Sequence, residues 1–334
     1  MAKILGIEST AHSFGAGMVD ESAILSNVRS MYEPTEGGIR PSEAARHHRG
    51  VADKILEKAM VAAPDAVAYS ASPGIGSCLN VGAEVVGRLA TELKIPVIPV
   101  NHIIAHLEIG FRTTTAKDPV VVFVSGGNTQ IIANHKGWKI FGETLDTALG
   151  NAIDKLARKL DMSHPGGPKL EKLALQGQKI LEMPYVVKGM DLSYSGIFTH
   201  ASRLLEGGAT PADVAFSFQE HCFAMLVEVA ERAVAHTGKP EILLVGGVAQ
   251  NKRLFEMFKI MCSERGAEMF VVPAEFAGDN GAMIAHSGLL RLKKGWTIKP
   301  EQIAYFQRMR VNEEPYTRIL AKRGTKLSST HIFE

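Results

Sequence analysis

The apolar positions of this 334-residue chain switch between two periods. Short alternating or continuous apolar runs, the pattern of strands, lie between longer stretches with apolar residues every three or four positions, the pattern of helices. An α/β protein whose sheets are covered by helices is predicted. The opening departs from simple alternation, because Lys3–Glu8, Phe14–Val19 and Ala23–Arg29 follow one another across Gly-, Ser- and Asp-containing turns and read as an antiparallel meander. A helix is predicted over Pro41–Ala63, a strand over Asp65–Ala71, a helix over Val81–Leu93 with Asn80 as its N-cap, and a strand over Pro96–Val100.

The pattern restarts at Pro119, with strands at Val120–Val124 and Thr129–Ala133 across Ser125-Gly126-Gly127. Helices are expected at Ala148–Lys159, Pro168–Leu175, Gly196–Leu205 and Pro211–Ala235, then the strand Glu241–Val245, the turn Gly246-Gly247 and a helix from Asn251. Two halves that each open with a strand hairpin predict a duplicated fold with a cleft between. The boundaries are read as 1–118, with the C-terminal helix returning to it, 119–295, and a tail over 296–334.

Composition refines this only modestly. Hydrophobic residues make up 46% of the chain, enough for two cores, and no apolar run approaches the roughly 20 residues of a membrane helix. A cytoplasmic protein is expected. Cys78, Cys222 and Cys262 are far apart and suggest neither disulfides nor a thiolate metal site. With 37 basic against 35 acidic residues, charge alone does not point to a nucleic acid.

Candidate chemistry sits at turns and helix starts. His102 and His106 lie four apart, so on one helix face both imidazoles can reach a single ion; Ile103 stands where a zincin has its general-base Glu, which excludes that peptidase motif. A third ligand is most naturally Asp279 in Gly278-Asp279-Asn280-Gly281, although an N-cap for the Asn280–Arg291 helix is an equal reading. Ser125-Gly126-Gly127 can present backbone N–H groups to a phosphate or be a plain hairpin turn, and Gly246-Gly247 follows a strand in a geometry suited to nucleotides. There is no P-loop, and Gly74-Ile75-Gly76-Ser77-Cys78-Leu79 lacks the third glycine of a Rossmann fingerprint.

Gly6-Ile7-Glu8-Ser9-Thr10-Ala11-His12, Asn101-His102-Ile103-Ile104-Ala105-His106, Ser125-Gly126-Gly127-Asn128-Thr129-Gln130, Pro165-Gly166-Gly167-Pro168, Tyr194-Ser195-Gly196, Gly246-Gly247-Val248 and Gly278-Asp279-Asn280-Gly281 occur in that order. Together they resemble the universal tRNA threonylcarbamoyladenosine transferase family. Ala11-His12 and Arg40-Pro41-Ser42-Glu43-Ala44-Ala45 look like its archaeal and eukaryal branch, the KEOPS subunit. The resemblance implies the actin, Hsp70 and sugar-kinase (ASKHA) superfold, with two duplicated domains and a nucleotide between them. It implies one divalent metal, iron or zinc, on His102, His106 and Asp279, and an adenine nucleotide on Ser125, Gly126, Gly127, Asp154, Gly167, Glu171 and Asn251. Phe123 replaces a tyrosine that can ligate the metal in many archaeal relatives, so a fourth position falls to water, substrate or another side chain.

The reaction implied is attack of the exocyclic amine of adenosine 37 of an ANN-decoding tRNA on threonylcarbamoyl-AMP, expelling AMP. Positioning is its main demand, and Glu8 and His12 are the candidates for removing the amine proton, against structural roles in a tight turn. Implied partners are tRNA and KEOPS subunits, including an atypical kinase, sometimes fused C-terminally, and a small dimeric subunit docking on the N-terminal helices through small residues such as Gly82, Ala83, Val86, Gly87 and Ala90. An ATP-dependent kinase or ATPase of the same fold, and a non-enzymatic ATP-binding scaffold, are the alternatives. Arg318, Lys322, Arg323 and Lys326 mark a basic tail, either disordered or a linker to a fused kinase.

Overall fold

The computed structural model describes residues 1–34 and 38–322. The described residues form two compact units, one built from Met1–Pro34, Gly38–Arg112 and Asp279–Lys322, the other from Thr113–Gly278.

The first unit runs β1 (Ile4–Glu8), β2 (Ser13–Val19), β3 (Ile24–Met31), α1 (Pro41–Ala59), β4 (Ala66–Ser72), α2 (Gly76–Leu93), β5 (Val97–Asn101) and α3 (His102–Thr113). Its sheet has the order β3-β2-β1-β4-β5, antiparallel through the meander and parallel from β1 to β5. The second unit runs β6 (Val120–Val124), β7 (Thr129–Asn134), β8 (Trp138–Glu143), α4 (Leu149–Lys159), α5 (Gly167–Ala174), β9 (Val187–Lys188), β10 (Asp191–Leu192), α6 (Ser195–Glu206), α7 (Pro211–Thr237), β11 (Glu241–Val245), α8 (Lys252–Arg265), β12 (Glu268–Val271) and α9 (Ala274–Ala277). Its sheet, β12-β11-β6-β7-β8, repeats the first one strand for strand: a three-stranded meander extended by two parallel strands. The duplication expected from the two hairpins is thus present in the topology. The third strand of the second meander, β8, went unread because Trp138–Glu143 has only one fully buried residue and no clean alternation.

The second unit's core gathers Val122, Val124, Leu149, Leu156, Phe218, Phe223, Leu226 and Leu244 around α7. Thr210 caps α7 by accepting from Asp213 N, and Gly238 ends it at φ +67°, where an L side chain is strained. In the first unit Leu5, Ile7, Phe14, Ala16 and Met18 pack with Ala52, Leu56, Val81 and Val86 of α1 and α2. Ile4, Gly6 and Glu8 therefore share the opposite face of β1.

That opposite face receives α10 (Gly281–Lys293), which returns to the first unit. Glycines allow the approach: a Cβ on Gly17 would stand 2.6 Å from Ala282 N, and one on Gly6 or Gly281 would overlap the facing backbone. The boundary read at 295 accordingly moves to Gly278. Residues 296 onward are not a loose tail over their described length. Val97 and Ile298 bridge, Tyr69 Oη donates to Ala304 O (2.7 Å), and Phe306 N donates to Ala71 O (2.8 Å). Arg291, nearly fully buried, pairs with Glu108 (2.8 Å) and Glu314 (2.6 Å) ahead of α11 (Pro315–Lys322). Arg318 lies over the Phe306 ring, whereas Arg323 and Lys326 fall outside the described residues.

Two further expectations change. α2 begins at Gly76, so Asn80 is not its N-cap but sits inside the helix and donates to Glu84 (2.5 Å). The small residues of α2 face inward: Gly82 abuts Ser9, Val86 and Ala90 are buried, and Gly87 lies against Ile303. Gly82, Val86 and Ala90 thus serve the first unit's own packing, while Ala83 and Gly87 are half-buried. No described helix is long and apolar enough to cross a membrane.

Candidate metal centre and nucleotide cradle

The first unit brings three of the singled-out residues together. β5 ends in Asn101, whose Oδ1 accepts from Ile103 N (3.0 Å) and caps α3, the helix that carries both histidines. His102 and His106 stand edge to face, ring centroids 4.7 Å apart, as i, i+4 spacing requires. Asp279 comes from the turn before α10. Asn280, not Asp279, caps that helix by accepting from Met283 N (3.0 Å), which leaves the Asp279 carboxylate to the histidines.

Asp279 Oδ1 lies 3.2 Å from His106 Nε2 and 3.6 Å from His102 Nε2, and one donor atom of each residue falls within 4.8 Å of the others. Donors about 2.0–2.1 Å from a tetrahedral ion stand about 3.3 Å apart, so two imidazoles and a carboxylate fit a zinc- or iron-type site with an open position. The residue that sets the His102 tautomer is Glu8. Its Oε2 pairs with His102 Nδ1 (2.9 Å) while Oε1 accepts from Thr10 N and Thr10 Oγ1 (both 2.6 Å), directing His102 Nε2 toward Asp279.

The electrostatics follow from burial and this wiring. Burial disfavours a charged His102, but the charge and hydrogen bond of Glu8, with Asp279, reverse that and raise its pKa to about 9. Burial lowers His106, and charge on His102 adds to the effect against Asp279. Burial would raise Asp279, yet the His106 hydrogen bond and the charges of His102, His12 and His106 hold it well below the usual carboxylate range. A buried anion surrounded by imidazoles is the charge arrangement a divalent cation completes. Glu8 is fully buried and engaged by Thr10 and His102, so its geometry is that of a positioning residue and not of a base facing substrate. His12, half-buried on the same loop, acts on Asp279 through its charge.

The second unit holds the residues singled out for the nucleotide. β6 and β11 run parallel with Phe123 beside Val245, so Ser125-Gly126-Gly127 and Gly246-Gly247 leave the same end of neighbouring strands, the end at which open α/β sheets bind ligands. Gly246, at φ +96°, presses on Val124 O, whereas Cβ atoms on Gly126, Gly127 and Gly247 would meet nothing within 4 Å. Open space lies beside the backbone at those three positions. Phe123 is fully buried in β6.

Asp154 accepts from Gly166 N (2.9 Å) beside His164, and Glu171 accepts from Lys252 N (2.8 Å), so both carboxylates tie together the segments around Gly167 and α8. Asn251 is occupied: Oδ1 caps α8 through Arg253 N and Leu254 N, and Nδ2 donates to Gln219. Asp146 was missed. It accepts from Ser193 Oγ, Tyr194 N, Ser195 N and Ser195 Oγ, and thereby fixes the Tyr194-Ser195-Gly196 turn. Its signal was an isolated Asp in Thr144-Leu145-Asp146-Thr147, too common to single out.

The family model described as tRNA N6-adenosine threonylcarbamoyltransferase matches residues 23–286. The chain belongs to that family. It is 52% identical over 296 residues to the tRNA N6-adenosine threonylcarbamoyltransferase of Archaeoglobus fulgidus, covering 87% of this chain and 92% of the relative. To the Thermococcus kodakarensis protein of the same name it is 50% identical over 317 residues, covering 92% and 97%. A probable bifunctional tRNA threonylcarbamoyladenosine biosynthesis protein of Methanosarcina mazei is 50% identical over 308 residues, which cover 89% of this chain but 56% of that longer protein. Among solved structures, Thermococcus kodakarensis HypF aligns with TM-score 0.62 at 18% identity, over 87% of this chain and 48% of HypF. A Clostridium difficile dehydratase activator with bound ADPNP aligns at TM-score 0.54 and 11% identity, over 92% of this chain and all of the activator. These two bear on the fold alone, and the fold is the ASKHA one.

Proposed function

We propose that this chain transfers the threonylcarbamoyl group of threonylcarbamoyl-AMP to the exocyclic N6 amine of adenosine 37 in ANN-decoding tRNAs, in the cytoplasm. The observation that carries the reading is the buried His102, His106 and Asp279 cluster, backed by Glu8, in a chain about half identical to threonylcarbamoyltransferases over most of its length. In the reaction the amine nitrogen bonds to the carbamoyl carbon, the bond from that carbon to the AMP phosphate oxygen breaks, and the amine loses a proton.

His102, His106 and Asp279 hold one divalent ion, iron or zinc, which when bound supplies Lewis-acid polarisation and a fixed charge to orient substrate. Glu8 and Thr10 keep His102 turned toward it. The backbone amides of Ser125, Gly126 and Gly127 receive the phosphate of the adenylate. Asp154, Glu171 and Gly167 shape the ribose and base end, and Asn251 acts by fixing the start of α8. AMP is a stable leaving group, so positioning supplies most of the rate. His12 remains the candidate to receive the amine proton.

A near-balanced charge favours help with tRNA from KEOPS-type partners, one an atypical kinase and another a small dimeric subunit on the N-terminal helices. Arg49 pairs with Glu84 and His48 is buried, so these two residues of Arg46–Arg49 add little free positive charge, whereas Arg46 is exposed. The bifunctional relatives support a fused partner in some lineages. Incubating the chain with threonylcarbamoyl-AMP and tRNA, alone and with partner subunits, followed by nucleoside analysis, tests the reading. Modified adenosine appears with partners and disappears with His102→Ala; no product under any combination refutes it.

A further inference from the structure

We infer that Asn101 is a positioning residue that couples the C-terminal strap, residues 298–314, to the ligand geometry of α3. The inference rests on the metal reading of His102, His106 and Asp279. Asn101 is fully buried, and its two amide atoms serve different segments. Oδ1 caps α3 at Ile103 N (3.0 Å), and Nδ2 donates to both Arg310 O (2.9 Å) and Glu313 O (3.0 Å). A buried amide that satisfies all of these at once has one orientation.

The strap is itself held from end to end. It bridges Val97 at Ile298, takes the Tyr69 hydroxyl at Ala304 O, passes Gly74 N at Gln307 O (3.2 Å) and Ser72 Oγ at the Met309 sulfur (2.9 Å), and closes on Arg291 at Glu314. Arg291 also grips Glu108, which lies on α3 two residues beyond His106. The helix bearing the histidines is thus fixed by the strap at its start through Asn101 and in its middle through Glu108. His102 is the residue immediately after Asn101, so loosening the cap or its tether tilts the first ligand before anything else.

Two variants separate the links. Asn101→Ser keeps an oxygen that can cap α3 but loses both strap bonds; Asn101→Asp keeps the cap and sets a carboxylate against the two strap carbonyls. Zn²⁺ titration gives affinity, the visible spectrum of the Co²⁺-loaded protein reports ligand geometry, and thermal unfolding of the metal-free protein reports the fold. Weakening of Zn²⁺ binding by about ten-fold, the low end for outer-shell partners, is expected in both variants with a shifted Co²⁺ spectrum, while the metal-free melting transition falls in both, further for Asn101→Asp with its buried carboxylate, yet stays a single cooperative transition. Affinity within two-fold of wild type with an unchanged Co²⁺ spectrum overturns the inference, as does a loss of binding that merely tracks a collapse of the metal-free fold. His102→Ala is the control for the underlying reading: if it too binds Zn²⁺ like wild type, the metal assignment fails, independently of Asn101.

Discussion

Gly17→Ala tests how α10 is seated and, through it, where Asp279 stands. The new methyl would lie 2.6 Å from Ala282 N, 3.0 Å from Ala282 Cα and 2.8 Å from Ser26 O, all backbone atoms. Ordinary contact begins near 3.5 Å, so the helix and the hairpin must part by about 0.9 Å. No flexible side chain can absorb that. Overpacking costs about 1–3 kcal/mol when side chains yield, and a backbone-to-backbone clash belongs at about 3 kcal/mol, a large share of a total near 5–15 kcal/mol. With a urea slope of about 3 kcal/mol/M, the midpoint falls by about 1 M. Trp296, stacked on Tyr316 in the first unit, supplies the fluorescence signal in a Trp138→Phe background that silences the second unit. Because Asp279 leads directly into α10, the same displacement stretches its 3.2 Å approach to His106, and Zn²⁺ affinity drops with stability. Gly127→Ala, whose Cβ meets nothing, is the matched control and leaves the midpoint in place. A Gly17→Ala midpoint within about 0.3 M of wild type, which is about 0.9 kcal/mol at that slope, would refute the wedge argument.

Glu8→Gln can satisfy Thr10 or His102 through its single amide oxygen, not both; Zn²⁺ binding weakens about 10–100-fold by calorimetric titration, and an unchanged affinity contradicts the role of Glu8 in orienting His102. Gly127→Val leaves stability intact but blocks the approach of a phosphate, so AMP affinity falls more than about ten-fold, or about 1.4 kcal/mol; equal AMP binding argues against the cradle. His48 and His286 are buried, and desolvation lowers both to about 4 from 6.5, with His47, His12 and Glu8 acting on the first and Arg112, Arg291 and Lys293 on the second. The folded chain therefore resists protons that the unfolded chain accepts: stability is full above pH 6.5, declines by up to about 1.4 kcal/mol per pH unit for each histidine down to about pH 4, and then levels. Urea midpoints that do not fall between pH 7 and 5, or that fall equally in His48→Gln, count against this.

The duplicated α/β architecture was legible because both meanders announce themselves by period and turn chemistry, and β1, β2, β6 and β11 are buried without interruption apart from the rim position Glu241. Elements on the outer edge of the second sheet were not: β8 and β12 are half-exposed and carry no pattern that separates them from loop. The chain's return to the first unit was only partly legible. The Asn280–Arg291 helix follows α9 with no linker composition to mark a boundary, and the reason it leaves its neighbours in sequence is the run of glycines on a hairpin more than 250 positions earlier.

The site shows the same division between local and distant information. Four-residue spacing specified that His102 and His106 share a face, and the structure keeps it, because spacing on a helix is a local property. Which carboxylate completes the set is not local: Asp279 is 173 positions from His106, and Glu8 is 94 from His102. Sequence left Asp279 balanced between ligand and cap; Asn280 takes the cap, and the Asp279 carboxylate lies beside the two histidines. Glu8 reads as a candidate base from its loop, yet alternation along β1 places it on the face with Gly6, where α10 lies against the glycines. The glycines that admit α10 and the acidic residues that complete the histidine cluster are thus one arrangement. A side chain added at Gly6, Gly17 or Gly281 acts on the cluster as directly as a change to a ligand, although none of the three carries a functional group.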